Sequence, residues 1–524
     1  MKRFLLVLIF FIYSFKISSA QNSEVEFRFS SNGSPVPFVH IKNLKNNQIQ
    51  FADSNGIYRA SFKLNEKITL EFSSIGFISQ DYSILINSNT KVLNIELKPD
   101  VFGLDQVIVS AGRNEIKLSQ TPIKIDLINP ENLQSVNARS VSDLLGFSPG
   151  LRVENNCQTC GFSSIRINGL DGRYSQVLID SRYLYSALIG VYGLDQIPAS
   201  IIDRVEVSKG AGSVLYGANA IAGTINIITK EPQKTGFEIA PNINFKGLDS
   251  RLPFRISIKP DSSNWALDIY GMQSNRENID LNNDSISDIT RLSSLFLGTK
   301  FNYLINKQSL IKLSINFVNE NRRGGNKFEY LPHQSDLTEQ LKHEIINSQI
   351  SYKYYSKDFS KDISIYSAIQ KTKRDSYYGS GGRVLGENDT MNYQDSLALG
   401  AYGYSEDWVI QSGIQFNWKI NYKHTFLVGT EWYQNRVSDQ FVFYQKLLNQ
   451  NVSTLGFFTQ WQWNISPKIN TLAGLRFDQN WIYSNNKLYD STIIQNINLP
   501  AIVPRIAINY KWNNNIKSRL SYAM

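Results

Sequence analysis

After Pro232 the sequence alternates apolar and polar residues in long runs. Such runs extend over residues 414–422, 457–465 and 506–512. A run of about nine or ten residues has the length of a tilted membrane-spanning strand, whereas strands of soluble proteins usually have about five or six. In such a strand the apolar side chains would face lipid and the polar ones the interior. We therefore predict an antiparallel transmembrane β-barrel over residues 232–524, with a soluble β-sandwich that has one wet face as the alternative.

The aromatic residues and the overall composition fit this class. Trp418, Tyr422 and Trp512 lie near the predicted strand ends, where an aromatic girdle meets the membrane surface. Aromatic residues make up 12% of the chain and charged residues 19%, which excludes intrinsic disorder. No run of about 18 apolar residues occurs outside the N-terminus, which excludes a polytopic helical membrane protein. The net charge of +9 is spread along the chain, so we expect no nucleic-acid partner.

The first residues have the pattern of a secretion signal. Lys2 and Arg3 precede an apolar run over residues 4–13, and Ser18-Ser19-Ala20 supplies the small residues of a cleavage site. We predict a cleaved signal peptide over residues 1–20. The alternative is a membrane anchor, but the apolar run is too short to cross a bilayer as a helix.

Residues 21–99 have the pattern of a small β-sandwich. Short apolar stretches are separated by turn residues such as those in Asn32-Gly33-Ser34-Pro35 and Asp53-Ser54-Asn55-Gly56. The phrases "DSNGIYRASF" and "LEFSSIGFISQDYSI" resemble the carboxypeptidase-regulatory-like domain, a β-sandwich without catalysis of its own.

Residues 115–231 have a mixed α/β pattern. A helix is predicted from Ser140 to Leu145 and ends before Ser148-Pro149-Gly150. Four strands are predicted over residues 165–168, 176–179, 201–207 and 224–229.

Several phrases in this region resemble one family. "PGLRVENN", "SSIRINGLDGRYSQVLIDS", "IPASIIDRVEVSKGAGSVLYGANAIAGTINIITK" and the upstream "LDQVIVSA" resemble the plug domain and TonB box of TonB-dependent outer-membrane receptors. The resemblance implies a linker with the TonB box over residues 100–114 and a plug domain over residues 115–231. A sandwich ahead of the box resembles the Bacteroidota-type arrangement.

The predicted fold class is therefore mainly β, with an N-terminal β-sandwich, an α/β plug domain and an antiparallel transmembrane β-barrel. Barrels that contain a plug have about 22 strands in the complete family. At roughly 20–25 residues for each strand and connection, residues 232–524 would supply about 12–14 strands. We expect the sequence to be C-terminally incomplete, and as given it should not close into a pore.

The predicted TonB box consists of Asp105, Gln106, Val107, Ile108, Val109 and Ser110. An exposed strand-forming peptide can add to the sheet edge of a partner, although the stretch could equally be an ordinary strand. The resemblance implies that TonB grips this segment at the periplasmic face. It also implies that the N-terminal domain lies in the periplasm and that the barrel lies in outer-membrane lipid.

The resemblance implies active import of a scarce small molecule. The expected cargo is a ferric siderophore or haem, with cobalamin as the alternative. A surface receptor or adhesin that binds without transport is a second class. A secreted enzyme is a third, but no catalytic constellation supports it, so we expect no enzymatic activity.

Three sets of residues are candidate sites. Cys157 and Cys160 are the only cysteines, and an oxidising compartment favours a disulfide between them over a soft-metal or haem contact or a thioredoxin-like role. Tyr183, Tyr185 and Tyr192 could stack on an apolar or macrocyclic ligand, or they could pack against the barrel wall.

The third set is a candidate calcium loop, and no other cofactor is expected to be required. The loop departs from an EF-hand at Ser285 and Arg291, so a solvated outer loop is the alternative. Oxygen ligands at suitable spacing would come from Asp280, Asn282, Asp284, the carbonyl of Ile286, and Asp288.

Overall fold

The computed structural model describes most of the chain from residue 22 to residue 523. The described part leaves out residues 32, 37, 46–47, 54, 75–76, 78–79, 88–90, 98–106, 111–112, 114–115, 119–120, 130–140, 147, 158, 160, 184–195, 211–212, 218–219, 244–248, 422, 442–444 and 514–515. The predicted signal peptide therefore lies outside the described residues. The chain forms two compact units, one of residues 1–108 with 116–120 and one of residues 109–115 with 121–524.

The first unit contains two four-stranded sheets. In the first sheet β1 lies between β2 and β5 and also pairs with β8, and the second sheet has the order β4-β3-β6-β7. The strands are β1 (Asn22–Ser31), β2 (Ser34–Pro35), β3 (His40–Asn43), β4 (Ile49–Phe51), β5 (Ile57–Lys63), β6 (Lys67–Ser73), β7 (Gln80–Leu85) and β8 (Val92–Glu96).

The two sheets share one apolar core, which gives the predicted β-sandwich. Every second residue is buried from Val25 to Phe29 in β1 and from Ile68 to Phe72 in β6, as expected when one face of each sheet is covered. Phe29 of β1 and Phe72 of β6 meet at a ring distance of 4.9 Å in an edge-to-face arrangement. Two further short strands, β9 (Val107–Ile108) and β10 (Ile116–Lys117), pair with each other in this unit.

The second unit begins with a mixed α/β region. Its main sheet has the order β11-β16-β17-β14-β15, and β12 and β13 form a separate hairpin. The elements are β11 (Ile125–Ile128), a helix (Val141–Leu145), β12 (Leu151–Cys157), β13 (Phe162–Ile167), β14 (Ser175–Ile179), β15 (Arg182–Tyr183), β16 (Ile202–Lys209), a helix (Ser213–Tyr216) and β17 (Gly223–Thr229). The predicted helix and four strands are each present, with ends shifted by a few residues.

This region is packed against the inner face of a large sheet. β17 is buried along nearly its whole length, as a central strand covered on both faces should be. One apolar cluster joins Val205 and Ile225 of the α/β region to Tyr270, Phe296 and other residues of the large sheet.

The large sheet contains 14 antiparallel strands. This number agrees with the predicted 12–14. The strands are β18 (Gly236–Ile239), β19 (Asn242–Ile243), β20 (Asp249–Ile258), β21 (Trp265–Arg276), β22 (Arg291–Asn306), β23 (Ser309–Gly325), β24 (Leu337–Tyr355), β25 (Lys361–Ser380), β26 (Tyr402–Lys419), β27 (His424–Phe441), β28 (Lys446–Ser466), β29 (Ile469–Leu488), β30 (Ser491–Lys511) and β31 (Lys517–Ala523). In the described residues the strands pair in chain order from β20 to β31, β18 and β19 each pair with β20, and the two ends of the sheet do not pair with each other.

Side chains alternate across this sheet as predicted. In β26, Gln415 and Asn417 are buried, whereas Ile414 and Trp418 are 43% and 40% exposed. Apolar residues on the outside and polar residues on the inside are the arrangement that a lipid-embedded barrel requires. Within the described ranges, no helix reaches the length and apolar character needed to cross a bilayer.

The strand lengths differ from the sequence prediction. The strands from β24 to β30 are 18–21 residues long, about twice the alternating runs. Their ends extend past the apolar band. In these ends both faces of the strand are mostly polar, so the sequence shows no alternation of apolar and polar residues. The run predicted over residues 414–422 is also too long at its far end. β26 ends at Lys419, since Asn421 accepts hydrogen bonds from the amides of Lys423 and His424 and closes a turn.

Gly223 occupies a position at which other residues are strained. Its φ is 141°, and a Cβ atom there would overlap the carbonyl oxygen of Ser208 in the neighbouring strand. We predict that Gly223→Ala destabilises the second unit by roughly 2 kcal/mol or more. Unfolding in denaturant, followed by protease sensitivity of the 121–231 region, measures this change. Gly236→Ala is the matched control, because a Cβ atom added at Gly236 would have no neighbour within 4 Å, and an equal loss there would contradict the explanation.

Candidate functional site

The predicted TonB box is partly described. Asp105 and Gln106 lie outside the described residues. Val107 and Ile108 form β9 and pair antiparallel with β10, in register with Lys117 and Ile116. One edge of this strand is therefore occupied by the same chain, which the sequence did not predict.

The end of the predicted box is held by a buried carboxylate. Glu206 of β16 is fully buried, and its Oε2 accepts hydrogen bonds from the amides of Val109 and Ser110 at 2.9 and 2.7 Å. Arg204 donates to the other carboxylate oxygen at 2.9 Å. Asn226 of β17 donates to the Ser110 hydroxyl at 3.0 Å. Hydrogen bonds to a charged acceptor are the stronger kind, so Glu206 anchors this segment to the α/β sheet.

Arg113, three residues further on, joins the segment to the large sheet. Its side chain is 1% exposed, and its guanidinium lies 2.8 Å from the Glu431 carboxylate in β27. The same nitrogen lies 2.8 Å from the Tyr366 hydroxyl, and the Arg113 carbonyl accepts from Gln415 at 3.2 Å. Burial opposes the charged form, but Glu431 together with nearby tyrosines outweighs it and raises the pKa of Arg113 above its ordinary range. The Arg113 guanidinium therefore stays charged at any physiological pH.

Further charged residues surround this pair. Arg476 of β29 lies 3.6 Å from Glu431 and donates to Asp478 at 2.7 Å. The Arg182 guanidinium stacks on the Tyr366 ring, with 3.3 Å between its central carbon and the ring centre. We call Arg113, Arg182, Glu431, Arg476 and Asp478 the charge cluster. Two cations and two anions are thus buried where the α/β region meets the large sheet, and Arg182 beside them is half-buried.

A second contact holds the other end of the α/β region. Glu231 follows β17, and its carboxylate lies 3.0 Å from Lys300 and 2.7 Å from Lys312. Asn302 donates to its second oxygen at 2.6 Å. Burial acts to raise the pKa of Glu231, but the two lysines outweigh it and lower the pKa to about 2. The α/β region is therefore tied to the large sheet on both sides.

Tyr183 packs against the wall, which is the second of its two predicted roles. Its ring meets Tyr433 of β27 at 5.5 Å, and its hydroxyl donates to the carbonyl of Tyr216. Tyr185 and Tyr192 lie outside the described residues, so ligand contact by this segment stays a prediction. Cys157 ends β12, and Cys160 lies outside the described residues, so their disulfide also stays a prediction.

In the candidate calcium loop, the carboxylates accept hydrogen bonds from backbone amides of the same loop. Asp280 accepts from the amides of Asn283 and Ser285, Asp284 accepts from Ile286, and Asp288 accepts from Leu281. Within the part of the chain that the structure describes, no three acidic, His or Cys side chains are grouped to hold a metal ion. Calcium binding by Asp280, Asn282, Asp284, Ile286 and Asp288 therefore stays a prediction.

The sequence analysis did not identify Arg113, Glu206 or Glu431 as site residues. One signal for Glu431 was available. It is an acidic residue at an inward position of a strand whose outward neighbours, Thr430 and Trp432, continue the alternating pattern. A charge at such a position needs a partner, but the sequence does not show that the partner lies 318 residues away.

Comparison with known proteins identifies the family. Residues 117–224 match the TonB-dependent Receptor Plug Domain. Residues 243–524 match the family described as TonB dependent receptor-like, beta-barrel, and this match covers more than half of the chain. The chain belongs to the TonB-dependent receptor family. Barrels of this family are outer-membrane proteins, and the family consists of receptors and transporters rather than enzymes.

Sequence relatives match over a short part of the chain. Vitamin B12 transporter BtuB of Vibrio vulnificus is 34% identical over 131 residues, which are 25% of this chain and 22% of that protein. The protein of the same name from Vibrio cholerae is 32% identical over 126 residues, 24% of this chain and 21% of that protein. The matched segment thus spans about a fifth of the length of these curated relatives.

Solved structures match over a longer range. The siderophore receptor PiuA from Acinetobacter baumannii has a TM-score of 0.60 at 16% identity, covering 78% of this chain and 65% of that one. The ferripyoverdine receptor of Pseudomonas aeruginosa has a TM-score of 0.61 at 14% identity, covering 82% and 61%. At these identities the likeness shows the fold.

Removing Arg113 should loosen the plug. In Arg113→Gln, Glu431 stays buried with a weaker set of partners, and leaving a buried charge without its partner costs about 3–5 kcal/mol. We expect the plug to become protease-sensitive at lower denaturant concentration while the barrel stays folded. Arg152→Gln is the control, because that side chain is 77% exposed and its pair with Glu154 should contribute less than about 1 kcal/mol. Equal effects of the two substitutions would argue against a special role for Arg113.

The Glu231 contact should depend on pH. Because the folded pKa lies below the ordinary 4.5, its stabilisation is present above about pH 4.5 and is lost as the pH falls towards 2. We expect the amides of residues 230–235 to lose protection against exchange over that range in the wild type, once rates are corrected for the intrinsic effect of pH. In Glu231→Gln, the same amides should exchange faster than in the wild type at neutral pH, and their protection should depend less on pH. Glu238→Gln is the control, since the Glu238 side chain is 62% exposed, and it should keep the wild-type response.

Proposed function

We propose that this protein is an active importer of the outer membrane, in which TonB pulls on residues 105–110 to release the plug. The observation that carries the proposal is a chain of contacts that starts at the end of the predicted box and continues to Arg113. Val109 and Ser110 are fixed to Glu206, and Arg113 is fixed to Glu431. A pull on the preceding residues therefore loads the plug sheet first and the barrel wall next.

The strength of these contacts supports the proposal that releasing the plug needs an external energy source. Separating a buried ion pair costs several kcal/mol, and hydrogen bonds to a charged group contribute about 1.5–3 kcal/mol each. Coupling between two binding sites is typically worth about 1–3 kcal/mol. Cargo binding can therefore favour release of the box, but it is too weak to open the charge cluster by itself.

Engagement of TonB would require a rearrangement of the box. One edge of β9 is paired with β10 in this structure, so a strand added at that edge would have to replace β10. Residues 116–117 form only a two-residue strand, and exchanging so short a partner is a small cost. The box can thus be paired with β10 at rest and become available to TonB once β10 is displaced.

The connections between strands support an orientation. The three longest connections, residues 277–290, 326–336 and 381–401, leave the same end of the sheet, and short turns such as 307–308 and 467–468 leave the other. In outer-membrane barrels the short turns face the periplasm and the longer loops face outwards. We propose separately that the N-terminal β-sandwich lies in the periplasm, as the resemblance to the family implies.

The cargo we propose is a metal chelate, namely a ferric siderophore or haem, with cobalamin as the second candidate. The structural neighbours named for siderophores share the fold at low identity and do not separate these cargoes. The 34% identity to part of a vitamin B12 transporter is the specific observation that favours cobalamin. A structural calcium ion in the 280–288 loop is a further proposal, independent of the cargo.

The test is a proline substitution in the box combined with uptake of labelled cargo. Val107→Pro removes a backbone N–H from the strand, whereas Val107→Ala keeps it. In cells carrying the chromosomal variant, we expect uptake of radiolabelled ferric chelate, haem or cobalamin to fall at least about tenfold with Val107→Pro. Binding to whole cells should be retained. The alanine variant is the control.

Each alternative predicts a different outcome. A receptor or adhesin that does not transport would show cargo binding but no uptake that depends on Val107. Growth of a deletion strain on single sources of iron or cobalamin then separates the cargoes. If the deletion strain grows normally on every one of these sources, the proposed cargo class is wrong.

A further inference from the structure

One buried side chain, Asn226 of β17, bonds to two separate parts of the chain. Its amide nitrogen donates to the hydroxyls of Ser110 and Ser181, each at 3.0 Å. Its amide oxygen accepts from the backbone N–H of Ser181 at 2.9 Å. Ser110 is the last residue of the predicted TonB box, and Ser181 lies in the turn between β14 and β15. Asn226 therefore connects the box to this turn directly.

The connection leaves little freedom to the Asn226 side chain. A primary amide has two N–H groups, so donating to two hydroxyls uses both of them. Asn226 is fully buried, and water cannot replace a lost partner without entering the plug. It lies opposite Glu206 in the neighbouring strand, and Glu206 holds the amides of Val109 and Ser110. The end of the box is thus held through its backbone by Glu206 and through its side chain by Asn226.

The turn that Asn226 holds is strained. Asp180 and Ser181 have positive φ angles of 48° and 66°. Tight turns with two such residues prefer Gly, Asn and Asp, and serine is not among the favoured residues. A residue in such a conformation persists only when its surroundings fix it. Two of the hydrogen bonds of Asn226 go to Ser181 and supply this support.

The same turn is also a contact between the plug and the barrel wall. Asp180 lies 3.4 Å from Lys300 of β22. The Tyr183 amide donates to Gln411 of β26 at 3.0 Å, and the Tyr183 ring packs on Tyr433 of β27. The chain continues from Tyr183 into the segment with the other two candidate ligand-contact tyrosines. A displacement of that segment would therefore be passed to the turn.

We propose that Asn226 couples the turn of residues 180–183 to the end of the TonB box, so that freeing either one loosens the other. The inference rests on the proposed import function, in which cargo acts beyond the turn and TonB acts on the box. If the turn leaves its strained shape, Asn226 loses two of its three hydrogen bonds and holds Ser110 less firmly. Coupling is reciprocal, so a pull on Ser110 also removes support from the turn.

A second route connects the same two parts of the plug. The Tyr183 hydroxyl donates to the carbonyl of Tyr216. The Arg113 guanidinium lies over the Tyr216 ring, 4.9 Å from its centre. Arg113 follows the box, so a movement of Tyr183 could reach the box without Asn226. Because position between two sites does not show coupling, the test has to separate the two routes.

The test is a double-mutant cycle measured by hydrogen exchange on the full chain in detergent micelles, without cargo. Ser181→Gly tolerates the positive φ and removes one partner of Asn226. We expect it to accelerate exchange at the Val109 and Ser110 amides at least about threefold, because one hydrogen bond of Asn226 is lost. Ser110→Ala should accelerate exchange in residues 179–183 by a similar factor.

Asn226→Leu separates the routes. By itself it should accelerate exchange at both places, and in its background the two serine substitutions should no longer affect each other's segment. Thr224→Val is the matched control. Thr224 is fully buried on the same face of β17, and its hydroxyl has no hydrogen-bond partner among the described residues. This variant should leave exchange at both places unchanged.

Three results would overturn the proposal. If Ser181→Gly and Ser110→Ala each act only on their own segment, the two parts are not coupled. If their effects on each other's segment persist in the Asn226→Leu background, the route through Tyr216 carries the coupling. An equal effect of Thr224→Val would indicate a general loosening of β17.

The coupling and the import function are tested separately. Heat-modifiable gel mobility confirms that each variant is folded. If Asn226→Leu does not fold, Asn226→Ser takes its place, since its side chain is too short to bond to both serines. Exchange is measured without cargo or TonB, so a negative result leaves the proposed import standing. Normal uptake by Val107→Pro would contradict import and leave the measured coupling unaffected.

Discussion

A backbone N–H or C=O group in hydrocarbon has no water to bond with, and this constraint shapes the whole second unit. Each unpaired group costs several kcal/mol, so strands in a membrane must pair with their neighbours over their full apolar length. The large sheet meets this requirement with long antiparallel ladders from β20 to β30. The same constraint places apolar side chains such as Ile414 outside and polar ones such as Gln415 inside.

A polar interior creates a second problem, which the plug solves. Inward-facing charges such as Glu431 and Lys300 are buried once the plug fills the space beside them, and a buried charge must be paired. Arg113 and Glu231 supply the partners from the plug side. Polar complementarity therefore positions the plug together with the apolar cluster around Tyr270 and Phe296.

Particular residues show how far sequence reasoning reached. Alternation predicted the barrel strands, and the apolar stretches of residues 201–207 and 224–229 predicted the central strands β16 and β17, because both patterns follow from local side-chain direction. Alternation did not predict the true length of the strands, since their polar ends carry no such pattern. It also did not predict that Tyr183 packs on Tyr433, or that Glu206 holds Val109 and Ser110.

The sequence by itself determined the class of this protein. Short local patterns are enough to recognise the family motifs of the plug, the lipid-facing strands and the sandwich ahead of them. The tertiary structure decided which charges meet. Arg113 and Glu431 are 318 residues apart, and their contact depends on the register of several strand pairs and on how the plug lies against them. No local pattern encodes such a distance, because a side chain's partner across an interface is set by the packing of the whole unit.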